Sequence, residues 1–88
     1  MEIGILRDSY RERIKSLGKR GKLAKEFLLQ LYSSPIVSPR EAEQKLGVTA
    51  ATTNRLISEL EKLGVLQEMT GYARNRLYSL HEYLEIFT

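Results

Sequence analysis

A chain of 88 residues with no cysteine and one histidine has the size of one small domain, and its composition excludes disulfide frameworks, thiolate metal sites and zinc sites built from paired histidines. No apolar run is long enough to span a bilayer and the opening Met-Glu-Ile-Gly-Ile-Leu is too short for a signal peptide, so a cytoplasmic setting without a membrane partner is expected. The net charge is only +3, yet Arg7, Arg11, Arg13, Lys15, Lys19, Arg20, Lys22 and Lys25 crowd into residues 7–25 against Asp8 and Glu12 alone; such a segment either meets an anionic partner or forms a solvated helix face.

Ile3, Leu6, Tyr10, Ile14 and Leu17 recur at helical spacing and predict a helix over about residues 5–17 with a narrow apolar seam. Gly18 and Gly21 interrupt it. Leu23, Ala24, Phe27, Leu28 and Leu31 then form a fuller stripe, predicting a second helix over about 19–32 that Ser33-Ser34-Pro35 ends.

The next stretch carries two helix starts in close succession. Ser38, Pro39 and Glu41 have the spacing of a capping box with proline at the first helical position, and Val37 and Ala42 sit where a hydrophobic staple packs. Leu46 is the last apolar residue before Gly47, which supplies a left-handed exit, and Thr49 caps the following helix. Helix, three-residue turn, helix is the pattern of a helix-turn-helix, whose second helix enters a DNA major groove.

Projecting residues 50–63 at about 100° per residue puts Thr53, Leu56, Ile57, Leu60 and Leu63 on one face, which must be core. Ala51, Asn54, Arg55, Ser58 and Lys62 fall opposite. Asn54 and Arg55 are the candidates for base edges, because amide and guanidinium pair bidentately with adenine and guanine. Arg40, Lys45, Thr49, Ser58 and Lys62 are the candidates for the DNA backbone. Glu59 and Glu61 flank this face and would repel phosphate, so an ordinary solvent face stands beside the base-reading one.

Val65–Met69 and Arg76–Leu80 read as two short strands joined by Thr70–Asn75. Arg74, nearest the bend, is a further candidate for the DNA backbone. Arg76 either joins it or pairs with Glu68 on the facing strand. Leu80, Tyr83, Leu84 and Phe87 return to helical spacing, with His81 as a cap or surface residue at the start of that last helix.

No catalytic constellation is present: Glu41/Glu43 and Glu59/Glu61 are two apart on helices and diverge, and the glycines form no phosphate-cradling loop. No catalytic residue, metal site or cofactor is expected. The fold expected is mainly α, a winged helix-turn-helix with a three-helix core and a two-stranded hairpin wing. To these it adds an N-terminal helix over 1–18 and a short C-terminal helix, the winged domain itself spanning 19–88. The stripe Ile3, Leu6, Tyr10 and Ile14 is expected to stay exposed on so small a domain and to serve association, with a second copy or with a preceding domain.

From Val37 onward the chain also resembles the C-terminal winged-helix region of Fic-family proteins. The residues that carry this are Leu46-Gly-Val-Thr with Thr52-Thr53, Leu60-Glu-Lys-Leu-Gly-Val-Leu-Gln-Glu, and Thr70-Gly-Tyr-Ala-Arg-Asn-Arg-Leu-Tyr followed by Tyr83-Leu. The resemblance implies a noncatalytic regulatory tail behind a domain that transfers AMP to a target protein. The His-Pro-Phe and Gly-Asn-Gly-Arg signatures of that domain are absent here. The partner expected is double-stranded DNA, with a homodimer or docking onto a preceding Fic domain. The alternatives are an interaction or dimerisation module without DNA, and a stand-alone small transcriptional regulator.

Overall fold

Gly18 sets the first corner of the chain. In the computed structural model, which describes the backbone of residues 2–71 and 75–86 and side chains from residue 4 on, α1 runs Glu2–Ile14 and passes into a 3-10 segment, Lys15–Arg20. Gly18 takes φ 61° and ψ −122° there, a conformation in which a Cβ would be strained. α2 follows over Gly21–Ser33, then β1 (Ile36–Val37), α3 (Pro39–Leu46), α4 (Ala50–Lys62), β2 (Gln67–Glu68), β3 (Tyr78–Ser79) and α5 (His81–Ile86). This is a winged helix-turn-helix flanked by helices at both ends, as the sequence predicts.

The strands differ from expectation in length and number. Each is two residues long, and the sheet order is β1-β3-β2, all antiparallel. Sequence patterning misses β1 because two residues before a helix cap carry no detectable alternation. Tertiary pairing makes it: Ile36 faces Ser79 and Val37 faces Tyr78, while the Leu80 N–H donates to the Pro35 carbonyl at 3.0 Å. β2 pairs on the other edge of β3, with Gln67 opposite Ser79 and Glu68 opposite Tyr78.

The N-terminal seam requires a correction. Leu6, Tyr10 and Ile14 are 8%, 0% and 4% exposed, in one core with Phe27, Leu31, Leu60, Val65, Leu80 and Tyr83. The stripe is not left open for association, because α2 and α5 pack on α1 and cover it. α1 is therefore part of the same packed unit as residues 19–88. The side chain of Ile3, assigned to the same seam, lies outside the described residues.

Arg13 fastens this arrangement from the rim. Its Nη1 donates to Glu82 Oε1 at 2.7 Å and to the Gly64 and Leu63 carbonyls at 3.2 and 3.5 Å, and Nη2 donates to Glu82 Oε2 at 3.3 Å. One guanidinium thus ties α1 to α5 and to the turn that ends α4, where a cation also meets the negative end of the helix dipole. Bonding to Glu82 raises the Arg13 pKa above its ordinary value. On the outer side the Tyr83 hydroxyl donates to the Tyr32 carbonyl at 3.2 Å, with the two rings 5.4 Å apart.

α4 supplies the centre of the core. Thr53, Leu56, Ile57 and Leu60 are buried, with the Thr53 hydroxyl satisfied by the Thr49 carbonyl at 2.9 Å, and Leu63 is packed on their margin. Leu60→Ala should accordingly cost about 2–5 kcal/mol. Ser58→Ala, on the exposed side, should stay within about 0.5 kcal/mol of the parent in urea unfolding. Equal losses would mean that the helix phase is wrong.

Tyr10 gives a pH dependence of definite sign. Burial pushes its pKa from 10.0 to about 12, its hydroxyl having no hydrogen-bond partner of good geometry among the described residues; the nearby Tyr83 backbone opposes the shift and Glu82 adds a smaller upward push. A folded pKa above the unfolded one means that the contribution is complete below about pH 10 and is lost as pH rises towards 12. The two-unit gap bounds it at about 2–3 kcal/mol. Stability measured from pH 8 to 12 should fall less steeply in Tyr10→Phe than in the parent. Parallel curves would remove Tyr10 as the source.

Candidate nucleic-acid interface

Local signals fix the helix-turn-helix before any tertiary contact is needed. The Ser38 hydroxyl accepts the Glu41 N–H at 3.2 Å, and Glu41 Oε1 accepts the Ser38 N–H at 3.4 Å, completing the capping box with Pro39 in the first turn. Val37 and Ala42 are both buried where the staple was expected. Gly47 ends α3 in the left-handed region, at φ 65° and ψ 32°, where its lack of a Cβ removes the penalty. Thr49 then caps α4, its hydroxyl accepting the Thr52 N–H at 3.2 Å. Its hydroxyl also bonds Thr52 Oγ1, so Thr49 acts first as a cap.

The outer face of α4 is the one expected: Ala51, Asn54, Arg55, Ser58 and Lys62 are all exposed. Between this face, the start of α3 and the hairpin runs a groove of about 800 Å³. Arg40, Asn54 and Ser58 line it, so the fold gathers three of the sequence-derived candidates in one concavity. Arg55 and Lys62 are exposed on α4 but do not line the groove; helical geometry puts them about 80–100° round the helix from Asn54, on its shoulder. Lys45 is elsewhere, beside Leu29, Gln30, Ser33 and Ser34 in a separate groove between α2 and α3. Arg74 lies outside the described residues.

The hairpin brings residues that the sequence left undecided. Asn75 and Arg76 line the groove with Leu77 and Tyr78, and Asn75 has a φ of 56°. Positive φ is tolerated by asparagine far better than by most side chains, and an Asn between two arginines after a turn was the one available sign of it. Glu68 does not simply serve Arg76 across the strands. It accepts the Gly71 N–H at 2.6 Å, the Thr70 hydroxyl at 2.9 Å and the Thr70 N–H, closing the start of the bend. These bonds, the Gly71 one foremost, hold the Glu68 carboxyl below its ordinary pKa, and Arg76 adds a smaller pull in the same direction.

The two glutamates on α4 resolve differently. Glu59 is gripped by Arg20, whose Nε donates to Oε2 at 3.1 Å while Nη2 bonds Oε1. Its charge is neutralised by a fork from a residue 39 positions earlier, a distance no periodicity could reveal. Glu61 lines the groove itself and opposes any polyanion there. Of the basic segment, Arg11, Arg13, Lys15 and Arg20 have carboxylate partners within the chain. Among the described residues Arg40, Arg55 and Lys62 have no ion pair. A helix face with free cations beside a groove is suited to a polyanion. Among the described residues no group of His, Asp or Glu is placed to hold a metal ion, and no helix is long and apolar enough to cross a membrane.

Comparison with known proteins agrees with the fold. A solved structure of a MarR protein from Peptoclostridium difficile matches with a TM-score of 0.58 and 27% sequence identity, over 98% of this chain. The chain spans 60% of the length of that protein. No family model matches the sequence, and no curated protein does.

Proposed function

We propose that this chain is the winged-helix DNA-binding module of a transcriptional regulator, with α4 as its reading helix. The observation that carries the reading is the outer face of α4, where Arg55 and Lys62 are exposed and have no ion pair among the described residues, beside the groove that α4 forms with the hairpin. A helix with its side chains is about 10–12 Å across, the width of a B-DNA major groove. Ala51 near the start of α4 leaves the backbone free to approach. Asn54 and Arg55 then reach base edges, one on each side of the helix midline, while Arg40, Ser58 and Lys62 meet phosphates. Arg76, in the groove wall, adds positive charge from the wing side. The likeness to a MarR protein, a winged-helix regulator, supports the same reading. Glu61 in the groove limits affinity and favours a duplex seated towards the Arg55 shoulder.

A pure docking module has less in its favour, since the exposed face of α4 sets an amide beside a guanidinium, Asn54 and Arg55, the two groups suited to base edges. The further idea of an AMP-transferring Fic domain in the same protein rests on the motif Thr70-Gly followed by Arg74-Asn-Arg-Leu-Tyr, and a longer reading frame containing His-Pro-Phe would support it.

Titration with random-sequence duplex should give an affinity that falls linearly in log–log against salt, by about 0.9 per phosphate neutralised. On a selected site, Arg55→Ala should cost about 1–3 kcal/mol and blur the preference at one position. Lys62→Ala should weaken binding to all sequences alike and reduce the salt slope by about one. A parent that fails to bind at low salt, or two variants that bind as the parent does, would overturn the proposal.

A further inference from the structure

The basic segment is only partly consumed by internal pairs. Arg7, Arg11 and Lys25 surround a cavity of about 40 Å³ walled by Ile14, Leu28, Leu29 and Tyr32, on the α1–α2 side of the molecule and sharing no residue with the groove beside α4. The Arg7 guanidinium lies 4.3 Å from the Tyr32 ring centroid, which fixes it in place without cancelling its charge. Arg11 has Asp8 at 3.8 Å, with both side chains exposed, an arrangement that neutralises little. Lys25 has no ion pair among the described residues; Glu26 beside it on α2 is exposed. In the middle stands Leu29, 59% exposed, with a second groove of about 510 Å³ on its other side that Lys45 borders.

An open leucine flanked by cations on both sides, with Glu26 and Asp8 the acidic residues near them, has a definite complement. A nucleic-acid backbone would satisfy the cations and leave Leu29 in water. A bilayer would need a convex apolar ridge, whereas Leu29 stands between two concavities. A segment with an apolar side chain at its centre and carboxylates on both flanks satisfies both features, with the apolar anchor desolvated and the charges at the rim. We propose that the α1–α2 face docks an acidic amphipathic segment of a partner protein, its carboxylates on Arg7, Arg11 and Lys25 and its apolar side chain against Leu29. Lys45 extends the positive rim along α3. This surface stands independently of whether α4 reads DNA, because the two share no residue.

The test uses the full chain and a labelled synthetic peptide of about 15 residues, helical, with a leucine stripe between two rows of glutamate. Anisotropy should give saturable binding, and amide resonances near Arg7, Lys25 and Leu29 should shift while those of Asn54 and Arg55 stay in place. Leu29→Ser and Lys25→Glu should each weaken binding by about tenfold or more. Both side chains are exposed, so melting temperatures should hold and loss of folding is separable from loss of binding. Arg55→Ala should bind the peptide as the parent does, whatever it does to DNA. Absence of saturable binding would overturn the proposal, as would a Leu29→Ser variant that binds like the parent, since that is attraction by bulk charge alone. A duplex or anionic vesicles that shift the same amides and displace the peptide would also overturn it, by assigning the face to a different class of partner.

Discussion

Only one side of α4 can point inward, and that constraint organises the rest of the molecule. Thr53, Leu56, Ile57 and Leu60 are spaced to share a face, and burying them fixes the rotation of the helix about its axis. Turning α4 by one residue would bring Asn54 or Ser58 into the core and push a leucine out, at a cost of several kcal/mol. Which side chains are offered to a partner is therefore decided by packing. Arg13 supplies the matching constraint along the axis. It holds the carbonyls at the end of α4 and the carboxylate of Glu82 with one guanidinium, so that helix is fixed relative to both terminal helices.

The charges divide by use. Arg13 and Arg20 are half-buried forks that each grip a carboxylate distant in sequence, one stabilising the α1–α5 contact and the other silencing Glu59 beside the outer face of α4. Exposed pairs such as Lys15–Glu12 contribute at most about 1 kcal/mol each and specify nothing. Among the described residues Arg40, Arg55 and Lys62 have no ion pair on or next to α4, nor has Lys25 on the α1–α2 face. A net charge of +3 thus conceals an uneven distribution, with exposed cations gathered on two separate parts of the surface.

The terminal helices solve a problem of size. A three-helix winged domain alone buries a modest core, and a domain below about 100 residues gains stability steeply with each additional buried apolar side chain. Here α1 contributes Leu6, Tyr10 and Ile14, and α5 contributes Tyr83, all to the same cluster as Phe27 and Leu60. The narrowness of the α1 stripe, which suggests a partner when seen on one helix, is sufficient because α2 and α5 close over it from two sides.

Sequence alone was enough wherever the determining contacts are local. The capping box of Ser38 and Glu41, the left-handed Gly47, the Thr49 cap and the phase of α4 all depend on residues within one or two turns of the same helix, and each is found where spacing puts it. The winged fold followed from their order. What sequence could not reach are contacts between residues far apart in the chain. Burial of the α1 seam depends on α5 returning from more than 60 positions away. β1 exists only because β3 pairs with it, and Glu59 is neutralised only because the Lys15–Arg20 segment lies against α4. Lys45 and Arg40 look equivalent as basic residues of α3, yet they line grooves on different sides, since one lies at the end facing α2 and the other at the end facing the wing. Periodicity assigns a side chain to a face of its own helix. Which neighbour that face meets is decided by the packing of the whole chain, where no local spacing records it.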